Sequence, residues 1–332
     1  MRRREFIASI GATAIASPFV AFGQQSSGKV WRVGILISGA ADDPQALTFL
    51  AAFRAELEKL GWAEPVNLRI ETRWTAPADP ESGQRFATEL VALRPDVIVS
   101  NTTPPTAALL RQTRTIPIVF VSVNDPIGSG FVESFTRPGG NATGFVILEP
   151  TLGGKWLELL KEIAPRLARV AFLFNPAQAP TAVYYLNSLK AAAESLGLEA
   201  ISAPVRDVSE IESVMMKQGG PTNGGLVMAP DGFLVAHRVE IISMAAKYRL
   251  PAVYPFRLFA EVGGLLSYGA DLPNEWRRAA SYVDRILKGV NPGELPVQAP
   301  VKFELVINLK TARALGVDVP PTVLSRADEL IE

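Results

Sequence analysis

Residues 116–145, IPIVFVSVNDPIGSGFVESFTRPGGNATGF, decide how the chain is read. Pro117-Ile118-Val119-Phe120-Val121 is a continuous apolar run of strand length, as expected for a strand buried on both faces of a parallel sheet. The run turns polar at Ser122, Asn124 and Asp125. Pro126, Gly128 and Gly130 then break regular structure, and Pro138-Gly139-Gly140-Asn141 predicts a tight turn before a second short strand. In an open α/β sheet, polar groups just past the carboxyl ends of strands face the crevice where ligands bind. A fresh helix and strand series begins at about Thr151. The segment therefore carries both a cleft wall and a crossing between two lobes.

Towards the N-terminus, Val33-Gly34-Ile35-Leu36-Ile37 is a buried strand ending at Ser38-Gly39. Pro44 opens a helix with Leu47, Leu50, Phe53, Leu57 and Leu60 at spacings of three and four, stopped by Gly61. The alternating stretch 66–70 is the next strand. Asp79-Pro80 starts a helix whose buried face is Phe86, Leu90 and Leu93. Asp96-Val97-Ile98-Val99 leads into Ser100-Asn101-Thr102-Thr103, and a helix is predicted over 107–113. This alternation is a βαβ series with right-handed crossovers.

The series restarts beyond the crossing. Trp156, Leu157, Leu160 and Ile163 form one helix face, and Val170-Ala171-Phe172-Leu173-Phe174 is a buried strand stopping at Asn175-Pro176. A helix from about residue 180 to 196 is closed by Gly197. Further strands follow at 198–205, at 226–229 (ending at Pro230-Asp231) and at 251–254. After a short strand at 265–271 and a helix carrying Trp276, Ala280, Val283 and Leu287, the stretch 296–307 reads as extended. These last elements are too few for a third domain, so they cross back to the first lobe and out again. The expected lobes are 30–145 with about 272–297, and 146–271 with about 298–332: an α/β architecture of two Rossmann-like lobes with parallel central sheets, joined by three crossover segments.

Composition narrows the function. Lys+Arg and Asp+Glu are both 33, which gives no basic surface for nucleic acid or anionic membrane. There is no cysteine and a single histidine, His237, which removes disulfides, thiolate metal sites and histidine clusters. No phosphate-loop pattern accompanies Gly139-Gly140. The first 23 residues read as an export signal, with Arg2-Arg3-Arg4 as the charged region, an apolar stretch, and small residues at Ala21 and Gly23 for cleavage. Arg3-Arg4-Glu5-Phe6-Ile7 matches the twin-arginine pattern, with a general-secretion signal as the alternative. The expected mature chain is a periplasmic, monomeric protein that does not span the membrane.

The chain resembles the extracytoplasmic substrate-binding proteins of ABC transporters, in the type I periplasmic-binding-protein fold, and within them the branch that includes tryptophan/tyrosine-uptake receptors. The stretches that carry the resemblance are 116–120, Asp125-Pro126-Ile127-Gly128-Ser129-Gly130, Arg137-Pro138-Gly139-Gly140-Asn141-Ala142-Thr143-Gly144, Gly154-Lys155-Trp156, Phe174-Asn175-Pro176 and Ser267-Tyr268-Gly269-Ala270-Asp271. It implies a hinged receptor that closes on a small solute and docks on an inner-membrane permease, without catalysis or cofactor. The aromatic amino acid follows by analogy only. A membrane-coupled ligand sensor, or an exported enzyme built on Asp125, Asp231 and Asp271, are the alternatives.

Candidate solute contacts sit at strand ends. Ser38, Gly39, Asn101, Thr102 and Thr103 offer hydroxyls and helix-start N–H groups suited to a carboxylate, or they are plain caps. Asp125, beside Asn124, either receives an ammonium or closes an Asx turn. Asn175, Asp231 and Asp271 are ligand contacts, turn formers or caps. Tyr254 and Tyr268, with Phe256, either stack on a flat solute or belong to the rim of a core.

Overall fold

The computed structural model describes residues 29–332 other than 76–78, 148, 180 and 221–222; the expected export signal lies outside the described residues. The first sheet has the order β2-β1-β3-β4-β5, all parallel, built from β1 (Trp31–Ser38), β2 (Leu68–Thr75), β3 (Val97–Asn101), β4 (Ile118–Val123) and β5 (Ala142–Val146). The second sheet takes β6 (Arg169–Phe174), β7 (Glu199–Pro204), β8 (Gly224–Met228), β9 (Ala252–Tyr254), β10 (Leu266–Ala270), β11 (Phe303–Asn308) and β12 (Glu329–Ile331) in the order β12-β11-β10-β9-β8-β6-β7.

Each sheet is covered on both faces, which is why its central strands are continuous apolar runs rather than alternating ones. In the first lobe, α1 (Pro44–Lys59) and α10 (Leu272–Leu287) cover one face, and α2 (Pro80–Ala92) and α3 (Thr103–Gln112) the other. In the second, α4 (Leu152–Ile163), α5 (Ala182–Leu196), α11 (Leu309–Leu315) and α12 (Pro321–Leu324) lie on one face. The other face carries α6 (Val208–Gln218), α7 (Gly232–Ala236), α8 (Arg238–Lys247) and α9 (Arg257–Glu261).

Helix α10 follows β10 of the second sheet yet packs into the first lobe. Trp276 is fully buried there, stacked on Phe49 at 6.1 Å and edge-on to Phe53 at 6.0 Å. The chain then returns through a 3-10 turn (Pro292–Glu294) and a single parallel bridge between Phe145 and Gln298. Because it re-enters the second sheet at the end where β10 left it, β11 runs antiparallel to β10.

Several boundaries differ from the sequence reading for local reasons. The strand expected at 66–70 is Leu68–Thr75, since Asn67 accepts the Ala63 N–H and donates to the Gly61 carbonyl, holding residues 61–67 in a turn. Helix α3 starts at Thr103 rather than residue 107, because Pro104 and Pro105 fit a first helical turn that needs no N–H. Extended pairing within 296–307 is confined mainly to β11, and β12 at the sheet edge carries too short a signal to be read beforehand.

Candidate functional site

Three chain segments connect the lobes: β5 to α4, Ala270-Asp271-Leu272, and the stretch from Gln298 to Phe303. Beside them a cavity of about 290 Å³ lies between the lobes. Its first-lobe wall is the N-terminal half of α1, with Gln45, Thr48 and Phe49, and its floor is Leu272 and Pro273. The second lobe contributes Phe256, Arg257, Glu261 and Glu304. The volume sits at the small end of the range for organic-ligand sites, and apolar walls with a few convergent charges are their usual composition.

Arg257 organises the charge of this wall. Its Nε donates to Glu261 at 2.8 Å, one terminal nitrogen to Glu304 at 3.0 Å and the other to Glu329 at 2.7 Å. Burial disfavours the guanidinium charge, but the carboxylates outweigh it and hold its pKa above the ordinary arginine value. Burial pushes the Glu304 carboxyl up, against the pull of Arg257. Arg257 meets three carboxylates, and Lys302, which also acts on Glu304, is itself paired with Asp271, so the wall keeps surplus negative charge. A ligand carboxylate would compete with three others for Arg257, whereas an ammonium would complete the set.

The strand-end residues of the first lobe are partly committed to one another. The Ser38 N–H donates to Asn101 Oδ1 at 2.7 Å, and the Gly39 N–H to the Thr75 carbonyl at 2.9 Å, so β1, β2 and β3 are tied at their carboxyl ends. Thr102 sits at φ 62°, ψ 166° and Ser122 at φ 58°, a region that costs a non-glycine residue of order 1–3 kcal/mol. Strain of that kind at the ends of adjacent strands β3 and β4 accompanies functional clefts. Thr102, the N-cap of α3, makes no side-chain cap, and the side chains of Thr102 and Thr103 are half-buried. Pro104 and Pro105 remove two of the N–H groups that a helix start would otherwise present. Asp125 accepts the N–H of Gly128, three residues on, at 2.8 Å within the loop after β4, with Asn124 beside it.

The second-lobe residues are more deeply engaged. Asp231 is buried, and its carboxylate accepts the N–H groups of Asn175 at 2.5 Å, Phe233 at 2.7 Å and Leu234 at 3.2 Å. Burial pushes its pKa up, partly offset by those donors. Asn175 in turn accepts the Ala177 N–H at 2.9 Å. Tyr254 is 1% exposed and stacked on Phe259 at 4.9 Å, on the face of the sheet covered by α8 and α9. Its neighbour two positions on, Phe256, lines the cavity instead. Tyr268 points to the opposite face, stacked on Phe303 at 5.9 Å beside a separate open groove along α4. Asp271 caps α10 through the Asn274 N–H and binds Lys302 Nζ at 2.8 Å; burial raises its pKa, but those two partners bring it below the usual carboxylate range.

The structure thus brings Ser38 together with Asn101 and Asn175 with Asp231, and directs Tyr254 and Tyr268 to opposite faces. Phe49, Gln45, Arg257 and Glu304 were not singled out from sequence. An arginine directly after Tyr254-Pro255-Phe256, at a strand's carboxyl end, was the available signal. Among the described residues no helix is long and apolar enough to cross a membrane.

A family model described as ABC transporter substrate binding protein matches residues 40–331. The chain is 25% identical over 283 residues to a tyrosine-binding protein of Clostridioides difficile (strain R20291), which covers 84% of this chain and 79% of that one. A solved conserved domain protein from Vibrio cholerae superposes with a TM-score of 0.80 at 29% identity, covering 91% of this chain and all of the other. An ABC domain in complex with L-Trp from Streptococcus pneumoniae also gives 0.80, at 24% identity over 91% of this chain and 99% of the other.

Proposed function

The chain belongs to the ABC transporter substrate-binding protein family and has the type I periplasmic-binding-protein fold, and from that premise we propose that it is the extracytoplasmic receptor of an ABC importer for an aromatic amino acid or a similar amine. The moving units are 30–145 with about 272–297, and 146–271 with about 298–332. Closure divides the solute's contacts between them, so that only the closed state satisfies the solute fully. The role is binding and delivery rather than turnover.

The observation that carries this reading is the cavity between α1 and the α9–β11 wall. Phe49 and Phe256 supply flat apolar surface, and Glu261 and Glu304 exceed the one cation, Arg257, between them. An ammonium received there neutralises part of that excess, and an aromatic body fills the apolar side. Thr102 and Thr103, which do not line that cavity, are proposed to reach a solute carboxylate only on closure. The relative named for tyrosine and the structure holding L-Trp support the aromatic class.

Calorimetric titration separates the parts of this reading. L-tyrosine, L-tryptophan and tyramine should bind, while 3-(4-hydroxyphenyl)propanoate, which lacks the amine, should bind at least about tenfold more weakly. Equal binding of the deaminated acid would refute the charge assignment. Absence of heat from every one of these compounds would refute the aromatic class.

A further inference from the structure

One side chain on α10, the helix that follows the second crossing, holds the start of the third crossing and lies over the strand end from which the first departs. Arg278, on α10 just after the second crossing, donates from one terminal nitrogen to both oxygens of Glu275, at 2.9 and 3.0 Å, and to the Ala299 carbonyl at 3.0 Å. Its other terminal nitrogen donates to the Gln298 side-chain oxygen. The guanidinium lies 4.7 Å over the ring of Phe145, at the end of β5 where the first crossing begins. Gln298 also donates through Nε2 to the Tyr282 hydroxyl at 2.7 Å, and its backbone pairs with Gly144 and Val146 at 3.0 and 2.9 Å. Glu275 is 2% exposed, and burial pushes its carboxyl up to about 6, against the pull of Arg278. Arg278 is not among the residues lining the cleft cavity.

We propose that Arg278 is the positioning residue that sets the resting equilibrium between open and closed lobes, acting through the hinge and not through the solute. Hinge closure concentrates its φ/ψ change in a few residues at element ends. Here the first residues of the third crossing, Gln298 and Ala299, and the strand end at Phe145 are held against one planar, multiply bonded cation. Rotation of the second lobe must therefore pivot beyond the residues that Arg278 anchors to the first. Releasing it loosens the start of the third crossing from β5 and α10, widens the set of lobe arrangements, and makes the closed one costlier to reach on binding. The proposal rests on the closure reading but not on the identity of the solute.

The test uses the absence of cysteine, which lets a pair introduced at exposed Glu58→Cys in the first lobe and Met216→Cys in the second be labelled uniquely. Inter-label distances are measured by electron–electron double resonance without solute. The variant is Glu275→Gln/Arg278→Met, which strands no buried carboxylate, with Arg278→Lys alongside. The double variant should broaden the distance distribution, the lysine variant should broaden it less, and the apparent Kd for L-tyrosine should rise about fivefold or more in the double variant. A residue that only stabilises the fold would lower the melting temperature and leave the distribution as it was. An unchanged distribution in folded double and lysine variants overturns the proposal, even if wild type still closes on solute. A wild type that holds one distance with and without bound solute overturns the closure reading itself. If wild type takes up no L-tyrosine, the solute-free distributions decide alone.

Discussion

Replacing Gly269 by alanine is expected to cost about 3–5 kcal/mol and to abolish solute binding. A Cβ at Gly269 would stand 1.8 Å from the Pro255 carbonyl oxygen and 3.0 Å from its carbon, and both are backbone atoms with no rotamer to yield. Overpacking of a rigid site typically costs 1–3 kcal/mol, and losses above that need a named mechanism, here a backbone-to-backbone clash. Pro255 leads directly into Phe256 and Arg257 of the cavity wall, and Gly269 directly precedes the second crossing. Displacement therefore reaches the site as well as the core. Gly83→Ala on α2 is the control: nothing lies within 4 Å of its Cβ, so helix propensity should make it neutral or stabilising by about 0.5–1 kcal/mol. The check is the urea midpoint of each variant with a calorimetric titration. A loss below about 1 kcal/mol at Gly269 would contradict the packing described for β9 and β10.

Asp231→Ala is expected to lower stability by about 3 kcal/mol. Its carboxylate serves three backbone donors, of which the Asn175 N–H comes from the neighbouring strand end and the other two from the first turn of α7. Removing it leaves buried donors unsatisfied, at about 1–3 kcal/mol for each such group, and loses a helix cap worth about 1. Part of this is offset because an ionised carboxylate is no longer held away from water, the same burial that raises its pKa. Asp231→Asn keeps the acceptor for the two α7 N–H groups but turns an NH2 towards the Asn175 N–H, so it should cost less than Asp231→Ala while still destabilising. Equal losses in the two variants would show that the carboxylate, rather than its acceptor geometry, is what the fold uses.

The sequence made the alternation of strands and helices readable because both faces of each sheet are covered, so 33–37, 117–121 and 170–174 are unbroken apolar runs. The change at Ser122 to Asp125 marked the strand end that faces the cleft. What sequence could not tell was which strand-end polar groups are already spent. Asp231 and Asn175 look like open ligand contacts in the chain, yet each is bonded to backbone N–H groups in the fold. Tyr254 and Phe256 differ by two positions, but the strand ends between them, so one is core and the other is cavity wall. Arg257 and Glu304 are 47 positions apart and meet only because the third crossing returns the chain beside β10. Two glycines within the stretches that suggested the family, Gly144 and Gly269, have a physical reason: a Cβ on either would fall within 2.0 Å of a carbonyl oxygen on the adjoining segment.

The central claim is that two lobes close on a solute held between them. Small-angle scattering on the monodisperse protein, alone and with L-tyrosine or L-tryptophan at a concentration shown by calorimetry to saturate it, tests this most directly. The radius of gyration and maximum dimension should both fall on saturation. Superimposable curves from the free and saturated protein would contradict the claim.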